Sequence, residues 1–277
     1  MNQLEEYSYP TSFEEALSLL AKEGSEIIAG GTHLTTAKSQ SITQLVDITR
    51  LPLNFIKKEG NQVRIGSTTT ITEMVESPLV KEIGNGVVTK ACQLIGDTPL
   101  RNRITLGGNI ARLYPWVGLP VVLLVLDAVI VIKSQTETKK IPARDYFETK
   151  KLGRAEIITE VLFPVKNDWF CRYKKFALTT VDYTWLTMAF AAKNDGGVIS
   201  DPHVAVSRIT KPKRVVEVEK YLDGTVLANL DRDEALSTLK EAVNVVSDYR
   251  SSKEYRKHLL GIFFKRILSE IVQEVTG

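Results

Sequence analysis

The sequence predicts an α+β protein of two domains, residues 1–165 and 170–277, the first divided into lobes of about 1–54 and 55–165. Three observations carry this. A capped amphipathic helix is followed by short apolar strands that end in a diglycine, and a fresh β pattern begins at Phe55. After Pro164 the pattern changes to a strand meander and then to uninterrupted helical periodicity.

The elements follow in order. Ser12 and Glu15 have the spacing of a capping box, Pro10 stops structure before it, and Phe13, Leu17 and Leu20 share one helical face that ends at Gly24. A strand at 26–29 runs into Gly30 and Gly31, and a second at 45–48 follows a polar loop. Val63 and Ile65 alternate before Gly66, a Thr-rich turn follows, and helices are expected at 71–76 and 79–94. Residues 96–109, rich in Gly, Asn and Arg, read as a loop, and a Pro-interrupted apolar helix covers roughly 119–126. Beyond Pro164, strands at 170–176, 186–193 and 198–206 form a meander with a turn at Asp195, Gly196 and Gly197. The last helix is expected to start from a second capping box, Ser251 with Glu254, with Tyr255, Leu259, Ile262, Phe263 and Ile267 on its apolar face.

Composition narrows the function. With 277 residues, 43% of them hydrophobic, the chain is long enough for real cores. The net charge of +3 comes from scattered Lys and Arg, so no nucleic-acid surface is expected. The acidic N-terminus lacks an apolar signal region, and the apolar run 117–132 is broken by Pro120 and Asp127, so no membrane span is expected. Cys92 and Cys171 are far apart and lie in no metal-ligand spacing, which suits two buried thiols in a reducing cytoplasm.

Two glycine-rich segments carry the chemistry. The first is Ile27, Ile28, Ala29, Gly30, Gly31, Thr32, His33, Leu34; the second is Thr105, Leu106, Gly107, Gly108, Asn109, preceded by Leu100, Arg101 and Asn102. Glycines let the main chain approach a ligand closely, and successive N–H groups with Thr or Asn side chains can hold phosphates. Each segment alone most often marks no more than a tight turn. Neither matches the dinucleotide fingerprint G-x-G-x-x-G or the P-loop. No Ser/His/Asp or Cys/His arrangement stands out, so no catalytic side chain is assigned.

Taken together and in order, four segments resemble a family. AGGTHL is similar to the first flavin motif of molybdenum-hydroxylase flavoproteins, A-G-G-x-[DS]-L. LVDITRLP followed by VRIGSTTTITEM resembles the family's linker and I-G-[AS]-x-[TV]-T segment. PLRNRITLGGNIA resembles its second flavin motif, and SDYRSSKEYRKHLLGIFFKR its C-terminal signature. The resemblance spans residues of about 8–270. It implies a two-lobed FAD-binding domain of the PCMH type, followed by a C-terminal domain of three-stranded antiparallel sheet plus helical bundle. It also implies the partners: a molybdopterin-binding large subunit, a small subunit with two [2Fe–2S] clusters, and NAD or another electron acceptor. FAD, held noncovalently, would pass electrons from the clusters to that acceptor.

The resemblance also distributes roles. The residues from Ala29 to Leu34 and from Thr105 to Asn109 would cradle the pyrophosphate and ribityl chain, with Ile27 and Ile28 also counted among the cofactor-binding residues. Thr68 and Thr69 fall in the flavin-proximal loop, Ile95 and Ile158 at apolar cofactor contacts, and Lys175 at a basic position near the flavin ring. Three departures stand out. Gly118 occupies the place of an acid that contacts FAD, so FAD is expected to be held loosely and to tighten in Gly118→Asp. Tyr114 and Trp116 replace small residues; stacking on the flavin and packing as core or interface aromatics remain equally open. His33 replaces Asp or Ser, one residue out of register with histidines that bind flavin covalently. The rival readings are a free-standing PCMH-type flavin oxidoreductase and a flavin-free structural or regulatory subunit, which the colour of the protein separates.

Overall fold

The computed structural model describes residues 4–34, 41–114, 116–149, 152–207 and 211–276. The first lobe is a parallel sheet of β1 (Glu6–Ser8), β2 (Ser25–Ile28) and β3 (Gln44–Asp47) in the order β1-β3-β2, with α1 (Phe13–Ala21) against it. The Ser12 hydroxyl accepts from Glu15 N at 3.1 Å as the capping pattern requires, while the Glu15 carboxylate accepts from Thr11 N, at 2.9 Å, rather than from Ser12. Leu17 and Leu20 bury their side chains with Val46, Leu51 and Leu53, and Ile157 joins them from the second lobe.

That second lobe is an antiparallel sheet in the order β4-β5-β8-β6-β7. β4 (Ile56–Glu59) and β5 (Gln62–Gly66) come first. Helices α2 (Ile71–Glu76), α3 (Pro78–Glu82), α4 (Val87–Gln93), α5 (Thr98–Arg101), α6 (Leu106–Ala111) and α7 (Leu119–Val125) intervene. β6 (Val129–Lys133), β7 (Thr138–Pro142), α8 (Ala143–Thr149) and β8 (Ile157–Pro164) complete it, so the last strand enters the middle of the sheet. The helix expected over 79–94 is broken. Gly84, Asn85 and Gly86 all have positive φ (52°, 52° and 82°), and the Asn85 amide donates to Trp169 O at 2.9 Å. Pro120 does not interrupt α7 but sits in its first turn, where a missing N–H costs nothing. Within the loop expected at 96–109, Asp97 and Thr105 each cap a short helix.

The chain then forms the antiparallel sheet β12-β11-β10-β9, with β9 (Trp169–Phe176), β10 (Leu186–Asp195), β11 (Val198–Ser207) and β12 (Lys213–Arg214). The structure thus adds a two-residue strand to the three expected. Alternation sorts the residues of this sheet between two cores. Cys171, Tyr173, Ala189 and Ala191 pack with the second lobe, whereas Phe170, Met188, Phe190 and Val204 face α9 (Val216–Leu222), α10 (Arg232–Ala242) and α11 (Lys253–Thr276). α11 is capped by Ser252, one residue later than expected: its hydroxyl accepts from Tyr255 N at 3.2 Å. Leu259, Phe263 and Ile267 are buried, but Tyr255 is 41% exposed; the face turns instead around fully buried Arg256, whose guanidinium donates to Asp248 at 2.5 Å. Both cysteines are buried. Among the described residues no helix is long and apolar enough to cross a membrane.

Candidate cofactor site

A cleft of about 1110 Å³ lies where the two lobes and the C-terminal sheet meet. β2 ends at Ile28 and delivers the first glycine segment to its wall, and all eight residues from Ile27 to Leu34 line it. The second segment arrives as the first turn of α6, whose N-cap Thr105 accepts from Gly108 N at 3.3 Å. The two segments touch. A Cβ on Gly30 would stand 1.6 Å from the Arg103 carbonyl oxygen, and Arg103 Nε donates back to Gly30 O at 3.1 Å. Gly107 has a similar reason to be glycine: its Cβ would stand 2.8 Å from Ser67 Cβ, and its N–H donates to Ser67 O at 2.8 Å. Gly31 has φ +74°, and a Cβ on Gly108 would meet only Thr105 Oγ1, at 3.1 Å. Gly31 and Gly108 therefore keep the wall low on the cleft side, whereas Gly30 and Gly107 let two stretches of backbone cross.

Most other expected residues reach the cleft. Ile95, Thr105, Gly107, Gly108, Asn109, Gly118, Ile158 and Lys175 all line it. Leu106 does not; it is fully buried in the core of the second lobe. Thr68 and Thr69 also stand back from the cleft. Thr69 is fully buried with its hydroxyl on the Phe55 carbonyl at 3.1 Å, and its own carbonyl accepts from Leu106 N at 2.9 Å. The turn at 67–70 is thus a shelf under the second glycine segment, and Ser67, not the threonines, shows at the surface of the cleft. Lys175 Nζ donates to Leu94 O at 2.7 Å and Thr180 O at 3.2 Å. Burial lowers its pKa, and nearby Asp182 opposes that.

The expectation for Gly118 needs correction. A Cβ there would stand 2.0 Å from the Tyr173 hydroxyl oxygen and 3.1 Å from Thr187 Cγ2. The buried Tyr173 phenol fills the space beside residue 118, so an aspartate there would displace the phenol before meeting any cofactor. Burial also pushes the pKa of that phenol up. Tyr114 and Trp116 stack on one another, with ring centroids 4.6 Å apart and planes 7° from parallel. The Tyr114 hydroxyl is hydrogen-bonded to His33 Nδ1. Desolvation lowers the His33 pKa, with Arg112 adding to the effect.

Several lining residues escaped the sequence reading: Ser67, Arg112, Tyr173 and the turn at 181–184. Arg112 is paired with Glu26 at 2.9 Å across the cleft. Ser67 lies inside the segment VRIGSTTTITEM, which was the only signal it gave. Tyr173, from β9, and Tyr183, from the connection between β9 and β10, gave none.

The site suits a large, polar, flat ligand with an anionic middle. Backbone of two glycine segments converges on it, Arg112 and Lys175 add positive charge, and Ile28, Ile95 and Ile158 offer apolar surface. Beside it Ser67 Oγ, Thr68 Oγ1 and Asn109 Oδ1 are buried without a protein partner, a rare condition that a bound polar group relieves. Comparison with known families agrees. Residues 2–166 match the FAD-binding domain of molybdopterin dehydrogenases, and residues 172–271 match the C-terminal domain of CO dehydrogenase flavoproteins.

The chain belongs to the FAD-binding subunits of molybdopterin dehydrogenases.

FAD is accordingly its cofactor. The chain is 30% identical to the glyceraldehyde dehydrogenase medium chain of Sulfolobus acidocaldarius, over 96% of this chain and 98% of that one. It is 31% identical to the nicotine 6-hydroxylase medium subunit of Paenarthrobacter nicotinovorans, over 95% and 96%. Its fold superposes on carbon monoxide dehydrogenase from Hydrogenophaga pseudoflava with a TM-score of 0.89 at 26% identity, covering 96% of each chain. The chain is thus a medium subunit of the molybdenum-hydroxylase type, and its relatives are subunits of oxidoreductases.

Proposed function

We propose that this chain is the electron-transfer subunit of a molybdenum-dependent hydroxylase or dehydrogenase. It takes electrons from [2Fe–2S] clusters of a small subunit, which draws them from a molybdopterin-binding large subunit, and delivers them to NAD or another acceptor. Bound FAD supplies the junction between single-electron and two-electron transfer. In this reading residues 1–165 form the FAD-binding domain and 170–277 a C-terminal domain that closes the cleft. Backbone of residues 29–34 and 105–109 holds the pyrophosphate and ribityl chain. Ser67 and Asn109 complete that cradle with their side chains. Ile95 and Ile158 bracket the ring system apolarly, and Lys175, fixed by two carbonyls, places a positive charge where reduction adds negative charge.

The observation that carries the reading is the meeting of the two glycine segments at Gly30 and Arg103, beside buried oxygens that have no protein partner. His33 Nδ1 is engaged by Tyr114, which supports noncovalent attachment. Purification from the native source tests both points. FAD, iron and molybdenum are expected in one species, and acid precipitation is expected to leave FAD in the supernatant. Flavin retained in the pellet would assign a covalent bond through His33. A lone monomer with neither metal in its fractions would refute the assembly.

A further inference from the structure

We propose that His33, Tyr114, Trp116 and Tyr183 form an aromatic clasp that must open for FAD to enter or leave the cleft. The inference rests on the cleft being the FAD site and adds a kinetic role for His33 of the first flavin motif and for three aromatic side chains outside both motifs.

The four rings form one row. His33 and Tyr114 have centroids 5.3 Å apart, Tyr114 and Trp116 4.6 Å, and Trp116 and Tyr183 4.8 Å with planes tilted by 60°. All four line the cleft. They come from three parts of the molecule: His33 from the first lobe, Tyr114 and Trp116 from the connection between α6 and α7, and Tyr183 from the connection between β9 and β10. The row therefore joins walls that no strand pairing joins. Trp116 is already engaged by two rings, so the row is a link between walls and not an open platform for the flavin.

The segment carrying Tyr114 and Trp116 is fastened at both ends. Before it, Arg112 is paired with Glu26 of the first lobe at 2.9 Å, and Leu113 has φ +41°, an uncommon and strained conformation for leucine. After it, Val117 N donates to Tyr114 O at 3.0 Å and Gly118 sits against Tyr173. The hydrogen bond from Val117 to Tyr114 keeps the two ends of this segment close. At the far end the row reaches solvent: Tyr183 is 50% exposed, and the Arg250 guanidinium lies 4.7 Å from its centroid. Each aromatic contact shifts an equilibrium by roughly 2- to 10-fold. A row of this strength holds the walls together yet opens thermally.

A clasp of this kind slows passage in both directions, and that separates it from a contact to the cofactor or a purely structural role. The test measures FAD uptake and release by the full-length protein, wild type and Trp116→Leu, by flavin fluorescence in stopped flow. Trp116→Leu removes both contacts of the central ring and is expected to raise the two rates together, by about 5- to 100-fold, while Kd changes much less. Tyr114→Phe keeps the rings, loses the hydrogen bond to His33, and is expected to raise both rates by less. Tyr183→Leu, at an exposed position, repeats the test should Trp116→Leu not fold. Normal FAD exchange in wild type with unchanged rates in the variants overturns the clasp alone. Faster release with unaltered uptake also overturns it, because that marks a direct contact. Wild-type protein that takes up no FAD overturns the assignment of the cleft and the clasp with it.

Discussion

Replacing Gly118 with alanine tests how this chain fills the space beside residue 118. The new Cβ would stand 2.0 Å from Tyr173 Oη, 3.2 Å from Tyr173 Cζ and 3.1 Å from Thr187 Cγ2. The first distance is about 1.5 Å short of van der Waals contact, so the phenol must move. Gly118 itself has φ −93°, so backbone strain plays no part. Tyr173 is anchored in β9 and buried in the core of the second lobe, and overpacking of this kind costs about 1–3 kcal/mol. Tyr173→Phe removes the offending oxygen and leaves contacts that a few tenths of an ångström relieve. The double variant is therefore expected to regain most of the stability lost in Gly118→Ala, with a coupling energy of about 1–2 kcal/mol. Urea denaturation of the wild type, both single variants and the double variant measures it. Additive losses would refute the reasoning, and so would a Gly118→Ala protein as stable as wild type. By the same geometry, Gly118→Asp is expected to lose stability without binding FAD more tightly.

The glycines of the two motifs are expected to part company. Gly108→Val should fold normally yet lose FAD, because a Cβ there meets only Thr105 Oγ1, whereas Gly30→Ala should lose stability itself, because its Cβ falls on the Arg103 carbonyl. Equal behaviour of the two in thermal melts and FAD content would contradict this. The second expectation concerns pH. His203 is 4% exposed, with Nδ1 on Val125 O at 2.8 Å, and desolvation lowers its pKa from 6.5 against the pull of Asp127. Folding then binds fewer protons than the unfolded chain, so its contribution is fully present above about pH 6.5 and is lost as pH falls from there toward the folded value. The loss has a slope of at most about 1.4 kcal/mol per pH unit. Denaturation midpoints at pH 7.5 and 5.5 should differ more in wild type than in His203→Gln; an equal drop would place the titration elsewhere.

The elements with period and punctuation were legible from the chain. The capped first helix, the strand feeding the first glycine segment and the meander with its Asp-Gly-Gly turn stand within a residue or two of their expected places. Most of what failed was decided by contacts far away in sequence. The Gly84-Asn85-Gly86 break was signalled locally but lost within the apolar pattern around it, and Asn85 is held there by Trp169, 84 residues on. Thr68 and Thr69 look like ligands in a motif but serve as a shelf, because the backbone of Gly107 crosses Ser67 there. Gly118 read as a lost acid, and only the position of Tyr173 shows why no side chain fits. In the site itself, the residues of the two glycine segments reached the cleft, Leu106 excepted, and the two threonines did not. Tyr183, contributed from a separate strand connection, left no trace in local sequence.

β8 carries a consequence of its own. Two neighbouring residues of this strand serve different cores: Ile157 belongs to the first lobe and Ile158 to the second. Since successive side chains on a strand point to opposite faces, the pair works like a rivet through two plates. The separation of the lobes is therefore written in strand register, at the middle of a five-stranded sheet, and not in a hinge. A slip of one residue would put one isoleucine in the other's place and turn Glu156 or Thr159 into the remaining core. The lobes are thus held as a fixed frame, and exchange of anything through that frame falls to the side chains at its rim.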